Sequence, residues 1–167
     1  MRFAPAAAAL SLVVAVTASA SFGEERAPDP RAAALVAEGR AALIAGQPQR
    51  AIDAFEAALT VDPGYTPILL ELAESARRDG LQGKAIRYYR EALSRDPKNY
   101  AAISGEGEAL LEKGALEKAR QNLARLQSLC GEGCAETREL AAAIAAGPQP
   151  HMLAAESVLP DTTVTQN

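Results

Sequence analysis

The chain is poor in the residues that most chemistry requires. It has no Trp, one His, two Cys and only 4% aromatic residues among 167. The lone His151 sits in a C-terminal stretch with no periodic pattern, so a Ser-His-Asp arrangement would be hard to build. A His-Glu-x-x-His motif and a phosphate loop are both missing. Gly105-Glu106-Gly107 is a Gly-x-Gly inside a helical pattern, not after a strand, and so is no dinucleotide loop. Basic runs are missing too: 17 Lys+Arg are spread among 21 Asp+Glu, for a net charge of −4. Nucleic-acid binding needs clustered positive charge, so that class of partner is not expected. The many Glu residues sit on polar helix faces, where solvation accounts for them. No cofactor, no metal and no enzymatic activity are expected.

Long apolar runs are confined to the N-terminus. Arg2 is followed by a run rich in Ala, Leu and Val from Ala6 to Val16, then by Ala18-Ser19-Ala20. This reads as a secretory signal peptide over residues 1–20, cleaved after Ala20. The alternative is a retained anchor, for which the run is short against the ~20 apolar residues of a membrane span. No Cys follows the site, which disfavours a lipid-modified end. The expected location is periplasmic or secreted, without membrane insertion after cleavage.

What the chain does have is a repeat. Residues 32–65, 66–99 and 100–133 superpose at a period of 34. Gly46, Gly80 and Gly114 share one column; Ala51, Ala85 and Ala119 another; Phe55, Tyr89 and Leu123 a third. Leu35, Leu69 and Ile103, and Gly39, Ala73 and Gly107, fill the first half of each unit. Each unit reads as two amphipathic helices parted by the shared Gly, with short connections that suit antiparallel neighbours. Asp29-Pro30, Pro48, Thr66-Pro67 and Asn99 open helices; Asp62-Pro63 and Asp96-Pro97 close units. In the third unit Cys130-Gly131 stands where Asp-Pro stood. A last helical run follows over 134–146 as a cap. Residues 21–30 read as a linker, and 147–167 as a disordered tail.

These columns resemble the tetratricopeptide repeat, a helix–turn–helix unit of this period. The first unit supplies Leu35, Gly39, Ala51, Phe55, Ala58 and Pro63, and the second Leu69, Ala73, Ala85, Tyr89, Ala92 and Pro97. The third is degenerate: Leu123 and Leu126 replace the aromatic and small residues, and its Pro is gone. The resemblance implies an all-α, right-handed solenoid of three repeats plus a C-terminal capping helix. Gly39, Ala73 and Gly107 would let the two helices of a unit approach, and Phe55 and Tyr89 would fill the gaps between units. Leu140 and Ile144 would close the stack.

The resemblance also implies a function: binding a segment of another protein on the concave surface lined by the first helix of each unit. The groove residues would be Val36, Arg40, Leu43 and Ile44, then Leu70, Glu74, Arg77 and Arg78, then Ser104, Glu108 and Leu111. Arg77-Arg78 would give a cationic spot, or else a solvated helix end. The family's carboxylate clamp, with Lys and Asn in set places, is not matched. The role expected is a scaffold or adaptor in a bacterial cell envelope; the alternative is an accessory domain that self-associates through Leu- and Ala-rich faces.

Cys130 and Cys134 enclose Gly131-Glu132-Gly133. In an oxidising compartment such a pair suggests a disulfide joining the last repeat helix to the cap. A thiol–disulfide enzyme is the rival, although the spacing is not Cys-x-x-Cys. Haem attachment fails because Ala135 follows Cys134, and zinc fails for want of further ligands.

Overall fold

The computed structural model describes residues 26–147. The expected leader, residues 21–25 of the linker, and tail residues 148–167 with His151 lie outside the described residues.

Seven helices make up the described chain: α1 (Pro30–Ile44), α2 (Pro48–Val61), α3 (Pro67–Arg78), α4 (Gln82–Arg95), α5 (Tyr100–Glu112), α6 (Leu116–Cys130) and α7 (Ala135–Ala146). No strand occurs among the described residues. The starts follow the local chemistry. Asp29 accepts the Arg31 N–H at 2.8 Å, with Pro30 at the first position of α1, and Asn99 accepts the Ala102 N–H at 2.9 Å. The three turns inside the helical pairs, α1 to α2, α3 to α4 and α5 to α6, share one geometry. Gly46, Gly80 and Gly114 have φ of 70°, 75° and 81°, which a side chain would oppose. After each, the next N–H reaches back to the helix it leaves: Gln47 to Ala42 O, Leu81 to Ala76 O and Ala115 to Leu110 O, at 2.8–2.9 Å. That hydrogen-bonded Gly turn is why the glycine column repeats.

Helices pair as α1 with α2, α3 with α4, and α5 with α6, and successive pairs stack through α2 on α3 and α4 on α5. α7 covers the last pair, packing on both α5 and α6. α3 also touches α5, and α5 touches α7, while α2 and α4, and α4 and α6, make at most marginal contact. α1 and α3 have few backbone contacts as well, but Arg40 of α1 reaches Glu71 of α3, so the first helices lie along one side, the inner face of the stack. One apolar core runs through all pairs, with Ile52, Phe55, Leu69, Leu72, Ile103, Leu126 and Leu140 fully enclosed. No pair could bury these side chains alone, so each depends on its neighbours.

The small-residue columns act differently from one another. A Cβ on Gly39 would stand 2.5 Å from the Phe55 ring, so Phe55 packs inside its own pair rather than only between units. A Cβ on Gly107 would stand 2.6 Å from Leu140, so that glycine admits the cap α7 and not, as the repeat pattern implied, its partner helix α6. The glycine that receives a neighbour's aromatic ring is Gly105, where a Cβ would be 2.3 Å from Tyr89.

Polar ties cross the stack at about one repeat's separation. Arg40 meets Glu71 at 2.7 Å, and Glu56 meets Lys84 at 2.7 Å and the Tyr88 hydroxyl at 2.8 Å; Arg90 meets Glu106 at 2.7 Å over about half that separation, from α4 to α5. Arg95 donates to Pro63 O at 2.6 Å and Arg125 to Pro97 O at 2.5 Å, so each Asp-Pro turn is clasped from the following pair. Exposed pairs of this kind contribute little stability, about 0–1 kcal/mol each, but they fix register. At the entry, buried Asp62 accepts from Arg26 and from the Asp29 N–H at 2.9 Å; the Arg26 contact and then the Asp29 N–H hold its carboxyl below the usual range.

Candidate interaction groove

The inner face is built by α1, α3, α5 and α7, and it is not uniform. At the α1 end a cleft of about 390 Å³ is walled by Ala33, Val36, Ala37, Arg40, Ala41 and Ile44, with Pro28 and Tyr65 at its edge. Ile44 is 90% exposed, in the last turn of the helix. Beside it, a cleft of about 310 Å³ is lined by Tyr65, Thr66, Pro67 and Leu70, with Arg26 and Asn99 as polar rims. Tyr65 stands between the two and lines both.

The far end is charged. A cleft of about 360 Å³ lies among Glu74, Arg77, Tyr89, Ser104, Glu108, Glu136 and Glu139. Arg77 stands at its centre, paired with Glu108 at 2.8 Å, Glu112 at 3.0 Å and Glu74 at 3.2 Å. Burial works against the Arg77 charge, but Glu108, Glu74 and Glu112 together outweigh it and hold its pKa above the ordinary value. Burial pushes Glu108 up; Arg77 pulls it down, and Glu74 and Glu112 add to the rise. Burial also pushes the Tyr89 hydroxyl well above its usual range. Glu112 Oε2 is buried without a hydrogen-bond partner among the described residues. Arg78 is taken up by Glu74 at 2.8 Å.

The residues expected to line a groove therefore separate. Val36, Arg40 and Ile44 share the α1 cleft, Leu70 the middle one, and Glu74, Arg77, Ser104 and Glu108 the charged one. Leu43 is half-buried against the core rather than in any of these clefts. Leu111 is only 4% exposed and belongs to the core, so it offers no surface to a partner. Ser104 is also nearly covered, because its hydroxyl donates to Glu136 O of α7 at 3.2 Å. The expected cationic spot at Arg77-Arg78 divides in two: carboxylates from α3 and α5 surround Arg77 and leave the cleft acidic, while Arg78 lies outside that cleft, paired with Glu74 alone and 55% exposed at the helix end. Glu112, Glu136 and Glu139 were not among the expected residues. A signal for Glu112 existed, since residues 31–35 apart face each other in such a stack, and Glu112, like Glu108, lies at that distance from Arg77.

The Cys130 and Cys134 sulfurs are paired, with Cα atoms 5.8 Å apart, inside the range a disulfide spans. They join the end of α6 to the start of α7, and the Thr137 hydroxyl lies 3.5 Å from Cys130 Sγ. Among the described residues no helix is long and apolar enough to cross a membrane, and no group of three His, Cys, Asp or Glu could hold a metal ion.

Comparison with solved structures places this arrangement among known folds. The Sgt2 tetratricopeptide domain from Aspergillus fumigatus is 24% identical, with a TM-score of 0.64 over 84% of this chain and 92% of that one. The Yersinia enterocolitica type III secretion chaperone SycD, solved with a peptide of the translocator YopD, is 24% identical, with a TM-score of 0.60 over 74% and 89%. The first such domain of Spaghetti (RPAP3), solved with the HSP90 peptide SRMEEVD, is 22% identical, with a TM-score of 0.62 over 72% and 98%. Comparison with curated proteins gave no match. Two family models, both described as tetratricopeptide repeat, match residues 36–100 and 83–129. Together they span residues 36–129, and tetratricopeptide repeats are recognised over that stretch of the chain.

Proposed function

We propose that the chain is a non-enzymatic interaction scaffold of a bacterial cell envelope. It is exported by a leader over residues 1–20 and holds a segment of another protein on the inner face of its helical stack. The observation that carries this reading is the α1 cleft. Ile44 is 90% exposed beside Ala37 and Ala41, and no described residue covers it. A contiguous apolar surface beside a groove is the kind of patch that a partner covers. The helix-in-groove and extended-peptide modes both use such a face. Two structural neighbours support the reading, since the Yersinia chaperone and the RPAP3 domain each hold a peptide. The paired cysteines suit an oxidising compartment, which favours export.

Fractionation of cells that express the tagged chain tests the location. The expected product is soluble, periplasmic and begins at Ser21; an unprocessed cytoplasmic chain overturns that part. Co-purification from the envelope tests the site. Ile44→Asp should lose the partner at unchanged melting temperature, while Asp53→Lys on the outer helix α2 keeps it. Equal capture by both variants overturns the groove. A second reading, self-association, draws on the same exposed Ile44, and a concentration-dependent dimer that Ile44→Asp abolishes would favour it.

A further inference from the structure

The inner face changes chemistry along its length. Its α1 end is apolar, and the charge of Arg40 there is taken up by Glu71 at 2.7 Å. At the α7 end four carboxylates, Glu74, Glu108, Glu136 and Glu139, face one guanidinium, Arg77. Arg77 is already engaged by Glu74, Glu108 and Glu112. Glu136 and Glu139 form no ion pair among the described residues. Their side chains come from the cap α7, so the cap contributes negative charge to the groove as well as covering the core.

Resting on the reading that this face holds a protein segment, we infer that the segment is cationic and amphipathic. Its apolar side chains lie against Ala37, Ala41 and Ile44 of α1, and two or more Lys or Arg lie against Glu108, Glu136 and Glu139. Charge complementarity sets the direction of the segment and speeds its capture, because the acidic end attracts the basic one before contact. A segment ending in clustered acids would meet like charge there and is rejected.

The probe is a phage-displayed library of random 12-residue peptides selected on the purified full chain, with the best clones then made as free peptides. Enriched clones should carry at least threefold more Lys+Arg than Asp+Glu, together with apolar residues at one end. Their affinity should fall at least fivefold between 50 and 300 mM NaCl. Glu139→Lys, at an exposed position outside the core, should weaken these peptides at least fivefold, and Glu136→Gln should weaken them in the same direction. Enrichment of neutral or acidic peptides overturns the inference and leaves the groove reading standing. So does affinity unchanged in both variants. If no peptide is enriched, the groove reading itself falls, and the inference falls with it.

Discussion

The Tyr89 ring of α4 occupies the space that a side chain at Gly105 of α5 would need: a Cβ there would lie 2.3 Å from Tyr89 Cζ. Tyr89 is buried, so the ring cannot swing into solvent to make room. An exposed helical Gly→Ala change would gain about 1 kcal/mol in helix propensity. Here overpacking outweighs that gain, and Gly105→Ala should lose about 1–3 kcal/mol in urea denaturation. Adding Tyr89→Leu should recover part of the loss in a double-mutant cycle. Additive effects would mean that the two residues do not share one space.

The removal of Arg77 should cost more than the loss of an ordinary surface ion pair. Its guanidinium is the common partner of Glu74, Glu108 and Glu112, and its side chain is only 20% exposed. Arg77→Gln leaves three carboxylates crowded together, and a loss of about 2 kcal/mol is expected. The pH dependence has a definite sign. The Glu108 pKa is raised in the folded state, so the fold takes up a proton there more readily than the unfolded chain does. The deficit of Arg77→Gln should therefore shrink as pH falls from 7 towards 4.5, because protonation removes the repulsion. A deficit constant over that range would show that the charges do not cause it.

A second pH effect comes from Glu56 and Lys84, which meet at 2.7 Å across the first and second pairs. The Lys84 contact lowers the Glu56 pKa below its ordinary 4.5, and the same contact raises Lys84 above its ordinary 10.5. The carboxylate's contribution is full above pH 4.5 and is lost as pH falls through the lowered value. The ammonium's contribution is full below pH 10.5 and is lost as pH rises through the raised value. The melting-temperature difference between wild type and Glu56→Gln should thus form a plateau between those limits and vanish in strong acid. Solvent reaches both side chains, which are 45% and 30% exposed, so the plateau should be small.

The repeat register was legible in the sequence because it is a packing requirement. The left-handed turn at Gly46, Gly80 and Gly114 keeps one residue type in its column, and the enclosed Phe55 and Tyr89 keep a large ring in theirs. The electrostatics of the groove were only partly legible: the repeat sets Glu108 and Glu112 opposite Arg77, but Arg77-Arg78 reads as positive until α3 is set beside α5. Gly105 was set aside for a similar reason. Its use depends on a ring 16 positions earlier, which helical periodicity does not connect to it.

The Cys130–Cys134 pair closes a small loop, so its contribution to stability should be about 2 kcal/mol at most. The effect should also be local. With both changed to Ser, amide exchange should quicken in α7 (Ala135–Ala146) and hold steady in α3 and α4. Exchange that quickens equally everywhere would mean that the cap is one cooperative unit with the whole stack.

The central claim is that a partner lies on the inner face. Photo-crosslinking amino acids placed singly at Ala37, Ile44, Leu70 and Glu139, and at Asp53, Arg87 and Glu117 on second helices, test it most directly in the intact cell. One adduct of a single mass from the first set, and none from the second, is the expected result. Adducts from the second-helix positions alone would contradict the account.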